Sequence, residues 1–358
     1  MPEKKPTIEG AVCPLPLTQY EKIVIGHGSG GRMTHDLIQS VFARQFSNPA
    51  LDQNNDAARI NIPSLGQPSR WIAVSTDCHI VSPLFFPGGD IGRLAVCGTV
   101  NDVSMLGATP LYLTAGFILE EGFAISDLVK IVASMKQAAE EAGIQIVAGD
   151  TKVVEKGKAD GLFITTAGVG FIPDGRKIGG EYAQEGDQII ISGTLGDHGI
   201  AVLAARGDLG FETTIQSDVA PLNHLIELLL SAAPHTHVLR DPTRGGLATT
   251  LNEIAAQSQV GMLLQEQELP VRDEVHAACN ILGFDPLYVA NEGKVIAIVP
   301  ADEVEEALTA MRSHPYGKDA HIIGMVNNTP AGRVLLKTTI GATRVLDMLS
   351  GSMLPRIC

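Results

Sequence analysis

Two hydrophobic rhythms run along the chain, and glycines mark where one gives way to the other. Ile23-Val24-Ile25 ends on Gly26-His27-Gly28-Ser29-Gly30-Gly31. Beyond it, Leu37, Ile38, Val41 and Phe42 recur at helical spacing and predict a helix over 33–46. The run 71–77 predicts a strand that ends at the carboxylate of Asp77. Leu94, Cys97, Val100 and Ser104 predict one face of a helix over 91–106, and 111–118 predicts another strand. Ser126 is the expected N-cap of a helix carrying Leu128, Val132, Met135 and Ala139 on one stripe, with Gly143 as its stop. A strand over 144–147 is expected to run into Gly149-Asp150-Thr151-Lys152.

A second unit is expected to begin near Leu162. It has predicted strands at 162–171, 188–192, 260–265, 287–290, 294–299, 320–326 and 334–337, and predicted helices at 198–206, 221–231, 245–257 and 302–312. The resulting division is an N-terminal extension with a glycine-rich loop (1–45), a first domain (46–170), a second α/β domain (171–340) and a flexible tail (341–358). Residues 1–20, with four prolines, read as a loose extension.

Composition narrows the class. A chain of 358 residues with abundant glycine, high aliphatic and low aromatic content suits a loop-rich α/β protein. A net charge of −14 disfavours nonspecific binding to nucleic acid or anionic membrane, so a negatively charged ligand would need metal ions and backbone donors. The five cysteines are scattered, with no CxxC pair to suggest zinc or a disulfide framework. No apolar run approaches membrane-spanning length and the first ten residues lack a signal-peptide core, so the expected location is the cytoplasm.

The candidate chemistry lies at segment ends. Asp56, Asp77, Asp102, Asp150 and Asp241 form a set of carboxylates of the kind that hold Mg²⁺ against phosphate oxygens, although each alone reads equally well as a cap or a turn. Asn101-Asp102 falls inside an apolar helix, where a charge needs a partner. Gly28-Ser29-Gly30-Gly31 precedes a helix and offers amides to a phosphate, without the lysine of a P-loop. Lys152, after Gly149-Asp150-Thr151, adds a point charge. Asp241-Pro242-Thr243-Arg244-Gly245-Gly246 brings a carboxylate, a guanidinium and helix-opening amides together. Asn291-Glu292-Gly293-Lys294 reads either as a hairpin turn or as the seat of a general base at Glu292. The last residue, Cys358, follows Gly351 and Pro355. It reads either as an accidental terminal residue or as a reactive thiol on a mobile arm, able to carry a covalently held group.

Taken together, these motifs resemble the HypE family of hydrogenase maturation proteins. The matching stretches are 27–31, 75–77, 83–92, 98–102, 117–122, 149–154, 192–199, 240–246, 291–294 and the ending Pro355-Arg356-Ile357-Cys358. Asn54-Asn55-Asp56 departs from the paired aspartates of more distant relatives. The resemblance implies the α/β (α+β) fold of the aminoimidazole ribonucleotide synthetase superfamily, with two domains, mixed sheets, a mobile tail and a homodimer built through the N-terminal sheets. It implies ATP and Mg²⁺ as cofactors, with Asp56, Asp77, Asp102 and Asp241 as metal ligands and Gly28–Gly31, Asn101, Gly149–Lys152 and Arg244 around the nucleotide. It further implies a HypF-like carbamoyltransferase as donor and a HypC–HypD complex as acceptor. Cys358 would carry a carbamoyl group that ATP-dependent dehydration turns into a thiocyanate, with Glu292 as base and Lys152 orienting the carbamoyl oxygen. A small-molecule kinase or synthetase of the same superfamily, and a noncatalytic thiol carrier, remain the alternatives.

Overall fold

The computed structural model describes residues 22–62, 70–207, 213–349 and 356–358. The loose extension expected over 1–20 lies outside them, as do 350–355 of the expected tail. A helical segment comes first: α1 (Arg32–Leu37), a π-helical turn (Ile38–Phe42) and α2 (Ala43–Phe46). The first sheet has the order β1 (Ala58–Ile62), β2 (Arg70–His79), β7 (Leu162–Ile172), β5 (Thr109–Glu120), β6 (Gln145–Val154). All its pairs are antiparallel except β5–β6, which is parallel.

Alternation along the strands decides which face is covered. Leu113, Ala115, Leu162 and Ile164 point inward. They form a core with Ile91, Leu94 and Val100 of α3 (Ile91–Ser104) and Ile131 and Met135 of α4 (Ile125–Ala142). The short hairpin of β3 (Phe85–Phe86) and β4 (Gly89–Asp90) leads into α3, where Asp90 accepts from the amides of Gly92 and Arg93.

The second sheet has the order β14 (Thr343–Leu346), β13 (Arg333–Lys337), β10 (Gly261–Gln265), β12 (His321–Asn327), β8 (Gln188–Ile191), β11 (Ile296–Val299), β9 (Val238–Arg240). Its central strands are apolar at successive positions because both faces are buried. α7 (Gly246–Ser258) covers one face, and α6 (Asn223–Ala232) with α9 (Val304–Arg312) covers the other. α5 (Asp197–Ala205) and α8 (Asp273–Leu282) share a smaller cluster with Ile200, Val275 and Val289.

Several expectations need correction. Strand 162–172 does not open the second unit; it is the middle strand of the first sheet. The strand expected over 144–147 is longer, because β6 runs straight on through Gly149-Asp150-Thr151-Lys152. The helix expected to be capped by Ser126 starts at Ile125, with no side-chain cap at Ala124, although Gly143 ends it in the left-handed conformation as expected. The predicted strand 287–290 falls instead on a short 3₁₀ turn, Pro286–Tyr288, capped by Asp285. The segment expected to be flexible from 341 opens with β14, whose Leu346 is fully buried opposite Val334.

The two halves are pinned by buried polar contacts. Arg93 pairs with Glu141 at 2.7 Å and donates to the Val219 carbonyl at 3.0 Å. The Asn101 side chain accepts from the Leu222 amide at 2.8 Å and donates to the Ala220 carbonyl at 3.1 Å. These contacts set the walls between which the candidate site opens.

Candidate functional site

A cavity of about 410 Å³ lies between the halves. It is lined by Gly30, Asp56, Asp77, Asp102, Asp241, Arg244, Glu292 and Cys358, with Thr243 and Glu253 at its second-domain wall. Each carboxylate arrives on a different element. Asp77 comes from β2 and Asp102 from α3, while Asp241 follows β9 and Asp56 lies two residues before the start of β1. Glu292 stands in the bend before β11. That bend is not a hairpin. The Glu292 amide donates to Asp218 at 3.0 Å, and Lys294 turns away to pair with Asp218 at 2.9 Å.

The cluster is electrostatically loaded. Asp102 accepts from the Ser75 hydroxyl at 2.7 Å. Burial, and then Asp241, Asp77 and Asp56, push its carboxyl well above the usual range. Burial and Asp56 do the same to Asp241. Asp56 is raised to about 6, first by burial, against the pull of Arg240 at 3.0 Å. Burial and the anions Asp241 and Asp77 raise Glu292 well above an ordinary glutamate. Asp56 Oδ2 and Glu292 Oε1 are buried without a hydrogen-bond partner among the described residues. Such an arrangement costs stability unless a cation or donor enters.

Those orphaned oxygens fit a hard cation. Among the described residues no three side chains of the acid, imidazole or thiol type stand close enough together to hold one ion by themselves. The donor set therefore suits a cation that takes one or two carboxylates and completes its shell with phosphate oxygens, which is how Mg²⁺ usually binds.

Cys358 enters this cavity although it is remote in sequence from every other lining residue. Burial raises the pKa of its thiol, against the pull of Arg244, and the neighbouring Glu292 carboxylate raises it further. The docked thiol is thus held protonated and is a poor nucleophile in place. Residues 356–358 lie along the chain just after β2, where the Ile80 amide donates to the Cys358 carbonyl and the Ser82 amide to the Arg356 carbonyl, both at 3.2 Å.

Not every residue expected at the site is there. Asn101 is buried at the domain junction and does not line the cavity. Gly149, Asp150, Thr151 and Lys152 lie on edge strand β6, where Lys152 pairs with Asp150 at 2.6 Å and the two are 69% and 72% exposed. Of the loop 28–31, Gly30 lines the cavity at φ +80°, and a β-carbon there would fall 2.5 Å from Arg244 Cβ. The Gly30 amide is taken by Thr34 at 2.9 Å and the Ser29 amide by the Gly26 carbonyl at 3.4 Å, while Arg244 donates to the Gly28 carbonyl at 3.2 Å. As folded here, the loop braces Arg244. Sequence reasoning assigned no role to Ser75, Arg240 or Glu253. Arg240 bridges Asp56 and Glu253, the latter at 2.6 Å, and its only sequence signal was its place before Asp241.

Comparison with known proteins now bears on this arrangement. The profile of AIR synthase related proteins matches twice, the N-terminal domain over residues 54–172 and the C-terminal domain over 184–337. The chain is 56% identical over 332 residues to the carbamoyl dehydratase HypE of Azotobacter vinelandii, covering 93% of this chain and 96% of that one. Among solved structures, the crystal structure of a HypE–HypF complex superposes with a TM-score of 0.82 at 52% identity, covering 87% of this chain and 99% of that one. A HypE in complex with ATP superposes with a TM-score of 0.78 at 51% identity, covering 93% and 98%. On these grounds the chain belongs to the HypE carbamoyl dehydratase family of AIR synthase related proteins.

Proposed function

We propose that this protein is an ATP-dependent carbamoyl dehydratase of hydrogenase maturation, and that its substrate is a carbamoyl group carried on its own Cys358. One observation carries the reading: the Cys358 thiol is docked beside Glu292 inside a carboxylate-lined cavity. A cargo on that sulfur sits beside a base and beside the place where a metal–phosphate group is called for.

The chemistry follows from the leaving group. The oxygen of an S-carbamoyl group leaves poorly; once it has accepted the γ-phosphoryl group of ATP, with release of ADP, it leaves as phosphate. Removal of the two N–H protons then gives S–C≡N, so the net change is loss of one water. One or two of Asp56, Asp77, Asp102 and Asp241 would hold Mg²⁺, which when bound offsets charge on the phosphates. Glu292, buried and with a raised pKa, takes a proton from the carbamoyl nitrogen. Arg244, beside Cys358 and Asp77, supplies a fixed positive charge at the same place. Because the docked thiol is protonated, the carbamoyl group is acquired with the tail undocked, from a HypF-like carbamoyltransferase. The product is delivered the same way, to a HypC–HypD complex as a cyanide ligand for iron. The cytoplasm is the compartment that fits an ATP-consuming maturation step.

Asp102→Asn tests the metal–nucleotide part. The raised carboxylates bind more protons in the folded chain than in the unfolded one, so their stabilising contribution is present at acid pH and is lost as pH rises through the raised values. Removing one charge should therefore raise the thermal midpoint of the metal-free protein at pH 7. It should also weaken MgATP binding by roughly tenfold or more, about 1.4 kcal/mol. Thermal unfolding with and without MgATP reads both; unchanged MgATP stabilisation would remove Asp102 from the site.

The reading also gives the β6 residues a place. The uncovered face of the first sheet carries Leu111, Tyr112, Ile118 and Phe171, and β6 is an open edge with Val147 and Val153 exposed. A second copy seated on this face makes the homodimer and covers that edge. Lys152 is then the runner-up for orienting a carbamoyl oxygen, from a position this chain alone does not bring to its own cavity. Val147→Lys should shift sedimentation from dimer toward monomer; an unchanged dimer would place the interface elsewhere.

A further inference from the structure

The carbonyls of Arg356 and Ile357 are held by groups that lie outside the carboxylate cavity, while the Arg356 side chain pairs with Asp160 and the Cys358 side chain enters the cavity. The Arg356 carbonyl accepts from the Ser82 amide and from Arg206 Nη2 at 2.8 Å, while Arg206 Nε donates to the Ser82 carbonyl at 2.9 Å. One guanidinium thus ties the tail to the chain it lies against. The Ile357 carbonyl meets His198 Nε2 at 2.8 Å, and His198 Nδ1 meets the Ser217 hydroxyl at 2.8 Å. A carbonyl only accepts, so the ring presents Nε2–H to it. Nδ1 of the neutral ring is then the acceptor of the Ser217 proton. Ser217 Oγ in turn accepts from the Val219 amide at 3.1 Å, which fixes its orientation. His198 is completely buried, packed edge-on against Phe86 at 5.5 Å, and burial disfavours its charged form. Ile357 is 4% exposed in the apolar cluster that includes Val202, Val219 and Ala290.

We propose that His198 is a positioning residue that clasps the tail: its Nε2–H, held in that tautomer by Ser217, anchors the Ile357 carbonyl and thereby sets how long Cys358 stays docked in the cavity. The clasp deepens the dehydratase reading of the same site and rests on it for its catalytic consequence. Its logic lies in what it leaves alone. It grips the carbonyl of the residue before the cysteine, so the sulfur can carry a proton, a carbamoyl group or a cyano group without altering the grip. One hydrogen bond within a small set also suits a tail that must leave again. Without its donor, the buried Ile357 carbonyl is desolvated on docking with nothing in return, and the docked state loses ground.

His198→Leu fills the space and removes the donor; His198→Gln keeps an amide donor on a side chain of similar reach. The full-length protein, without nucleotide, is treated with iodoacetamide, and carboxamidomethylation of the C-terminal peptide is followed by mass. His198→Leu should alkylate at Cys358 roughly tenfold faster or more than the native protein. His198→Gln should return toward the native rate, with the thermal midpoint and MgATP stabilisation of both variants preserved. An unchanged alkylation rate in His198→Leu overturns the clasp, as does equal acceleration in the Gln variant. In a second arm, each chain is loaded with a carbamoyl group and given saturating MgATP. A single-turnover rate lowered in His198→Leu and restored in His198→Gln supports clasp and dehydratase together. Faster alkylation with undiminished conversion leaves the clasp standing and overturns dehydration at the docked sulfur.

Discussion

Cys358→Ala is expected to abolish product formation and to leave MgATP binding intact. The carboxylates, Glu292 and Arg244 are all supplied by other segments, so truncating one sulfur at the cavity mouth removes the cargo site and none of the groups assigned to the nucleotide. Thermal stabilisation by MgATP should therefore match the native protein. ADP formation in the presence of a carbamoyltransferase and carbamoyl phosphate should fall to the uncoupled background. Loss of nucleotide binding in this variant would mean that the tail is part of the nucleotide site, and the mobile-arm account would fail.

Glu292→Gln is expected to lower dehydration by roughly 10²- to 10⁴-fold, the usual worth of a positioned base, with MgATP still bound. Glutamine fills the same space and relieves repulsion from Asp241 and Asp77, so the metal-free variant should be no less stable than the parent. Initial rates on a chain already carrying the carbamoyl group isolate the step from loading. The raised pKa also has a sign that can be checked. A base must be ionised, so in the native protein conversion should decline as pH falls through a value above the ordinary glutamate range. A rate in Glu292→Gln within about tenfold of native would take the role of base away from Glu292.

What was legible in the chain follows from where the physics is local. Strands such as β2 and β5, and helix α4, announce themselves because one face is buried and alternation or helical spacing records it, while α3 is buried nearly all round and shows as an apolar run. β6 was predicted only over 144–147 because its edge position leaves nearly every residue exposed, so no buried face imprints a rhythm on the residues that follow. α8 went unpredicted because its buried stripe is Val275, Ala278 and Cys279, small residues with little contrast. In the cavity, Asp56, Asp77, Asp102, Asp241, Glu292 and Cys358 stood out as chemistry-bearing residues at the ends of apolar segments or in motifs, and they converge. Some of the contacts that tune them or hold the tail join residues more than a hundred positions apart, such as Arg240 with Asp56 and His198 with Ile357. No short window contains such a pair. Asn101 illustrates the reverse error: beside Asp102 it looked like a ligand, yet one step along a helix turns it away into the domain junction.

The most direct measurement is the mass of the C-terminal peptide of the intact protein. The protein is incubated with a HypF-like carbamoyltransferase and carbamoyl phosphate, and the peptide is weighed before and after MgATP. The account predicts a carbamoyl group on Cys358, followed by loss of the mass of one water only when MgATP is added. A carbamoyl group that stays unchanged with MgATP, with nucleotide binding confirmed, would contradict it and leave the protein a carrier.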